Sequence, residues 1–185
     1  MEKKVIVLLA EGFEEVEAVT PIDYLRRAGC SVTVAALTES LLVKGSHGIA
    51  ITADTTLKAV DLANSSWDAV VIPGGIPGAD NIAACKDALA LISKMATAEK
   101  VVAAICASPA RVLAPIHLLI GRGFTCYPGM EKEVENAAFR DDPVVIDGNL
   151  ITSRAAGTAG LFAAAIVERL VGKEASLKLS KSVLL

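Results

Sequence analysis

Three features of this 185-residue sequence have the residue types and spacing to do chemistry: a cysteine, a glutamate and a pair of glycines. The apolar run Val101-Val102-Ala103-Ala104-Ile105 leads into Cys106 and then directly into a helix with Pro109 in its first turn. That layout is a nucleophile elbow, a strained strand-to-helix turn that lifts one side chain above a sheet, although the flanking glycines of G-x-S-x-G are absent. Amides at the start of the helix would stabilise a thiolate there. Read alone, a cysteine in an apolar stretch is also what an inert core thiol looks like, and the junction brings the two readings level. Gly74-Gly75 follows a second apolar strand, and its backbone can turn amides toward a ligand because glycine tolerates positive φ. With the amide of Ala107 these glycines form a candidate oxyanion hole, while a plain tight turn is the simpler account of them. Glu11, Glu14, Glu15 and Glu17 open a helix, where carboxylates suit the dipole. Glu17 differs, because Val16 and Ala18 flank it. Facing an apolar crevice, its carboxyl would hold a proton near neutrality. The sign matters: an ionised glutamate opposes a neighbouring thiolate, and a protonated one donates a hydrogen bond to it.

These groups need strands that end together. The apolar runs are short and continuous, as in a parallel sheet buried on both faces. Strands are expected at Lys4–Ala10, Ser31–Leu37, Trp67–Pro73, Lys100–Ile105, Phe124–Tyr127 and the pair Val144–Ile146 and Leu150–Ser153, which flank the turn Asp147-Gly148-Asn149. Helices are expected at Glu14–Ala28, bent by Pro21, at about 80–98, at Ala107–Ala114, at Gly157–Val171 and at Glu174–Ser182. Leu41–Thr52 reads as a small hairpin off the main sheet, with His47 solvated in its turn. One α/β domain over residues 1–185, a mostly parallel sheet with helices on both faces, follows from this alternation.

Composition narrows the function. Eighteen Lys plus Arg against twenty-one Asp plus Glu give a charge of −3, which argues against nucleic acid. The longest charge-free apolar run, Ala155–Val167, is too short to span a bilayer, and the N-terminus has no secretory signal pattern. Cys30, Cys85, Cys106 and Cys126 are spread singly with no histidine at ligand spacing, so we expect no metal site and reduced thiols in a cytoplasm. His117 reads as structural. Gly74-Gly75-Ile76-Pro77-Gly78 lacks the G-x-G-x-x-G and Gly-Lys-Thr patterns of nucleotide loops.

The combination of Glu14-Glu15-Val16-Glu17-Ala18-Val19-Thr20-Pro21-Ile22-Asp23, Arg26-Arg27-Ala28-Gly29, Val71-Ile72-Pro73-Gly74-Gly75, Ala103-Ala104-Ile105-Cys106-Ala107 and Thr152-Ser153-Arg154 with Gly157-Thr158 resembles the ThiJ/PfpI superfamily, within it the parkinsonism-associated deglycase subgroup. The resemblance implies a flavodoxin-like three-layer sandwich and a homodimer. It makes Cys106 the nucleophile, Glu17 the protonated acid bonded to it, and Gly74, Gly75 and Ala107 the amide donors. It also implies action on α-oxoaldehydes such as methylglyoxal or on glycated adducts, without metal or organic cofactor. The alternative it carries is an oxidative-stress sensor and holding chaperone working through oxidation of Cys106. Some relatives have a histidine where this chain has Tyr127, and some have arginine at His47, so both residues are candidates for the pocket wall. Peptidase-like relatives have a histidine where this chain has Ala107. A Cys–His dyad is missing at both places, which makes a protease improbable.

Overall fold

Alternate residues of the first strand feed two different hydrophobic layers, and that division organises the molecule. In β1 (Lys4–Leu9), Val5, Val7 and Leu9 face one layer while Ile6 and Leu8 face the other, and all five are inaccessible to solvent. The structure, a computed structural model, describes residues 2–62 and 65–185. The chain continues through α1 (Glu15–Arg27), β2 (Ser31–Ala36), the hairpin β3 (Leu42–Lys44) and β4 (Ala50–Thr52), and the two-residue β5 (Thr55–Thr56). It then runs through β6 (Ala69–Ile72), α2 (Gly78–Ala84), α3 (Lys86–Thr97) and β7 (Val101–Ile105). Next come β8 (Gly123–Phe124), β9 (Ala138–Phe139), β10 (Val144–Asp147), β11 (Leu150–Ser153), α4 (Ala159–Val171) and α5 (Lys173–Val183).

The seven-stranded sheet has the order β10-β11-β7-β6-β1-β2-β5 and is parallel except for the antiparallel β10–β11 edge. The layer lined by Phe162, Ile166, Leu25 and Leu179 covers one face with α1, α4 and α5. The other, lined by Ile82, Leu91, Ile92 and Leu113, covers the opposite face with α2 and α3. The alternation implied a mostly parallel sheet with helices on both faces, and the resemblance implied this three-layer, flavodoxin-like sandwich. From β1 the chain moves outward to β2 and then crosses back to β6 on the other side of β1. That reversal opens a crevice at the carboxyl ends of β1 and β6, the usual place for a ligand in such sheets.

Three local expectations change. The helix expected over 80–98 is broken at Cys85, whose extended backbone (φ −88°, ψ 106°) ends α2 and caps α3. The break lets Ala79 and Ile82 on one helix and Ala88, Leu91 and Ile92 on the next all reach the core. The helix expected over Ala107–Ala114 is a wider π-helical turn, Pro109–Leu113, closed by the Ala114 amide donating to the Pro109 carbonyl. The strand expected over Phe124–Tyr127 stops at Phe124, because the following residues turn toward the sheet's end: Thr125 N–H donates to Thr152 Oγ1 and Tyr127 N–H to the Cys106 carbonyl. Through Pro21, by contrast, α1 runs unbroken. Among the described residues no helix is long and apolar enough to cross a membrane.

Candidate active site

Every residue of β7 is buried, and the strand delivers Cys106 at its carboxyl end with φ +64°, in the left-handed region that L side chains avoid. Two backbone bonds hold this strained residue. Its N–H donates to the Ser153 carbonyl at 3.0 Å, and its carbonyl accepts from Tyr127 N–H at 2.8 Å. Ser108, wholly buried, donates from Oγ to the Pro73 carbonyl at 2.6 Å and ties the start of the π-helical turn to the end of β6. The elbow read from sequence is therefore present, with the positive φ that its geometry requires.

Glu17 sits in the first turn of α1 and is 1% exposed. The Glu14 carboxylate caps that helix by accepting from Glu17 N–H at 2.7 Å. Gly74 N–H donates to Glu17 Oε2 at 3.0 Å. A Cβ on Gly74 would lie 2.5 Å from both Cys106 Cβ and Glu17 Oε2, so the glycine occupies the seam where thiol and carboxyl meet. Gly75 has φ +90°, and a Cβ there would meet the Glu14 nitrogen and stand 2.6 Å from the Gly12 carbonyl oxygen. Only glycine fits this approach.

Burial pushes the Glu17 carboxyl up to about 7, helped by the charge of Glu14; the bond with Cys106 and the amides of Gly74 and Ala156 work in the opposite direction. With Glu17 ionised, burial together with Glu17 as a charge and as a bonding partner pushes the Cys106 thiol up to about 12, while the amides of Gly75 and Ala107 pull it down; a proton on Glu17 removes that charge and turns the carboxyl into a donor. The two groups titrate as a coupled pair, and while they hold one proton between them its place decides which carries the charge. Cys106, Glu17, Gly74, Gly75 and Ala107 are brought together in one place, and Tyr127 joins them through its backbone.

His47 is elsewhere. Its side chain is 71% exposed on the β3–β4 turn, and its Nδ1 lies 2.8 Å from Glu15 Oε2. Glu15 went unremarked among the helix-opening carboxylates, yet it is buried and also accepts from His47 N–H at 2.7 Å, Ile49 N–H at 3.3 Å and Ser46 Oγ at 3.4 Å. Burial alone would raise its pKa; the His47 side chain and the amides outweigh this and hold the carboxyl at about 2. Among the described residues, Glu14, Glu15 and His47 form the one group whose ligand-type atoms lie within 4.8 Å of one another. Those donors already saturate Glu15, so the group is an ion-pair clasp joining the hairpin to α1. The Ala156 amide near Glu17 was also missed, because the sequence around Gly157 reads as plain helix. His117 (φ +62°) lines a separate cavity of about 520 Å³ beside Arg111 and Glu133, with none of the Cys106 cluster in its wall.

Comparison with known proteins accords with this geometry. The family model described as the DJ-1/PfpI family matches residues 3–169. Protein DJ-1 homolog A of Arabidopsis thaliana is 41% identical over 98% of the chain, and the chain spans less than half of that protein and of its homolog B. A Caenorhabditis elegans protein named glutathione-independent glyoxalase DJR-1.2 is 34% identical, with 100% of this chain and 97% of the relative covered. The crystal structure of Drosophila melanogaster DJ-1beta superposes with a TM-score of 0.94 at 40% identity, covering 100% of this chain and 99% of that one. The match of the family model over residues 3–169 and the likeness to relatives along the chain, with a strained turn at Cys106 and a buried glutamate beside it, lead to one conclusion: the chain belongs to the DJ-1/PfpI family.

Proposed function

We propose that this chain is a cofactor-independent enzyme that uses Cys106 to convert small α-oxoaldehydes, or the early adducts they form, into 2-hydroxy acids. The observation that carries the reading is the convergence of Cys106 in its strained turn with the buried Glu17 carboxyl and the amides of Gly75 and Ala107. The name of the nematode relative, a glutathione-independent glyoxalase, supports the same class of reaction.

In the reactive state the shared proton rests on Glu17. A carboxylic O–H is a stronger donor than a thiol S–H, and the negative charge of Glu14 lies beside Glu17, where it disfavours a second carboxylate. The Cys106 thiolate adds to the aldehyde carbon, and the new oxyanion takes hydrogen bonds from the amides and then the Glu17 proton. The Glu17 carboxylate next removes the hydrogen of the former aldehyde carbon as a proton and returns it to the adjacent ketone carbon, while the hydroxyl proton on the former aldehyde carbon passes to the ketone oxygen. The aldehyde carbon is thereby oxidised to a thioester and the ketone reduced to an alcohol, with no external redox partner. Water cleaves the thioester, releasing the 2-hydroxy acid and Cys106.

Incubation with methylglyoxal and assay of lactate tests the reading. Cys106→Ala is expected to lose at least about 10³-fold in rate, roughly 4 kcal/mol of barrier. An undiminished rate would overturn it. The amides that would hold a substrate oxyanion would equally hold the oxygens of an oxidised cysteine, which favours a second reading as an oxidation sensor. That reading expects addition of two oxygens at Cys106 under mild peroxide, seen by intact mass, with no aldehyde turnover. A homodimer forms part of the proposal. Val16 and Val19 on α1, Leu161 on the adjoining α4 and Ile49 on the hairpin leave about half of their apolar surface exposed.

A further inference from the structure

Two large apolar side chains stand half-exposed on the two loops that touch Cys106. Tyr127 is 48% exposed and Ile76 is 52% exposed. The Tyr127 backbone is pinned against the nucleophile by its 2.8 Å bond to the Cys106 carbonyl. The turn beyond it is closed by Met130 N–H donating to the Tyr127 carbonyl, with Gly129 at φ +95°. The preceding Cys126 is wholly buried, so the chain passes from core to surface at Tyr127. Ile76 follows Gly75, whose amide acts on the Cys106 sulfur, and precedes Pro77, which packs against Gly12. The third side of the site is the backbone of Ala155 and Ala156, with small side chains.

Charge is as informative as shape. None of the leading influences on the Cys106 thiol is a cation. Arg154, next in sequence to Ala155, is paired with Asp141. The charges that act most on the pair are Glu17 itself and Glu14, whose Oε1 lies 3.9 Å from His47 Nδ1.

We propose that Tyr127, assisted by Ile76, is a specificity-determining residue that selects α-oxoaldehydes bearing an aryl or bulky alkyl group over glyoxal itself. The inference rests on the α-oxoaldehyde reading above and adds the class of substituent. A phenol ring in this place would offer its face to a substrate ring, where a histidine would offer a polar, titratable edge. Neither side chain takes part in proton transfer. Apolar contacts of this size are worth roughly 10- to 200-fold in discrimination.

The test compares kcat/KM for phenylglyoxal and glyoxal in the wild type, Tyr127→Ala, Tyr127→His and Ile76→Ala. We expect a wild-type preference for phenylglyoxal of at least tenfold. Tyr127→Ala should lower it about tenfold, mainly through the KM for phenylglyoxal; Ile76→Ala should act in the same direction, less strongly. A wild-type ratio near one, or a ratio unmoved in both alanine variants, overturns the proposal while leaving the oxoaldehyde reading intact. Alkylation of Cys106 by 2-chloro-N-phenylacetamide and by 2-chloroacetamide, each normalised to N-acetylcysteine, gives a readout that needs no turnover. If neither aldehyde is consumed, the functional reading fails, and this alkylation ratio still decides whether Tyr127 makes an aryl-accepting rim. A Tyr127-dependent excess for the phenyl reagent supports the rim, and equal ratios overturn it.

Discussion

Cys106 and Glu17 are buried, coupled acidic groups, and this has a consequence for stability. The Glu17 carboxyl goes from 4.5 to about 7 on folding. A raised pKa contributes stability that is fully present below 4.5 and lost as pH rises through 7. The loss is of order 2–3 kcal/mol. Whichever atom of the pair holds the proton, the folded state binds it more tightly than separate glutamate and cysteine would, so the sign is the same. His47, also raised by Glu15, titrates in an overlapping window on the surface. The check is therefore a difference: thermal melting between pH 5 and 8 of the wild type against a Cys106→Ala, Glu17→Gln double variant. The variant should lose less stability over that range, and parallel curves would contradict the shared buried proton. Cys106 was legible from its place between strand and helix, and Glu17 from its apolar neighbours. Glu15 was not, because its donors come from His47 and Ile49, more than thirty residues away, while a helix-opening carboxylate already has a sufficient local explanation.

The elements that carry the site are held apart and together by glycines. Gly74 faces Cys106 and Glu17 at once, and Gly75 lies against the backbone of residues 12–14. Gly74→Ala would force the thiol and carboxyl apart, so activity should fall at least about 100-fold, with a cost to stability of about 1–3 kcal/mol. Gly75→Ala meets backbone rather than side chain and combines this with positive φ, so its melting temperature should fall further than that of Gly74→Ala. Gly29 is the control: its φ is +82° but nothing lies within 4 Å of a Cβ there, and Gly29→Ala should cost only about 1 kcal/mol and leave activity unchanged. Calorimetry and the methylglyoxal assay on the three variants check the order. The parallel strands were legible because runs such as Val101–Ile105 are apolar on both faces. The break at Cys85 was not, since no glycine or proline marks it; it arises where two short helices must each lay an apolar face on the sheet. The loss of strand after Phe124 was hidden for a similar reason. Thr125, Cys126 and Tyr127 have strand-like side chains, and their bonds run to β11 and to Cys106 instead of to a neighbouring strand.

At the scale of the whole molecule, the layered sandwich follows from the alternation of strands and helices along the chain. What the chain does with its outer faces depends on side chains brought together from distant segments. Val16 and Val19 lie one helical turn apart, and α4 packs beside α1, which places Leu161 on the same side of the sheet. The Glu15–His47 clasp holds the hairpin against α1 and adds Ile49 to that side. A homodimer through this face would have twice the 19.1 kDa chain mass by light scattering. Val19→Asp should shift the population to the single-chain mass with the fold retained by circular dichroism. A wild type that is monomeric at all concentrations, or a variant that stays dimeric, would contradict the assignment of this face.

The account depends most on where the shared proton lies. The most direct measurement is the pH dependence of Cys106 alkylation by a small haloacetamide in the wild type and in Glu17→Gln. A protonated Glu17 that donates to the sulfur predicts an apparent Cys106 pKa well below the ordinary thiol value of ~8.5 in the wild type, and an increase of about one unit in Glu17→Gln. A wild-type thiol that reacts only above about pH 9, with Glu17→Gln shifting it downward, would mean that an ionised Glu17 repels the thiolate, and would contradict the mechanism.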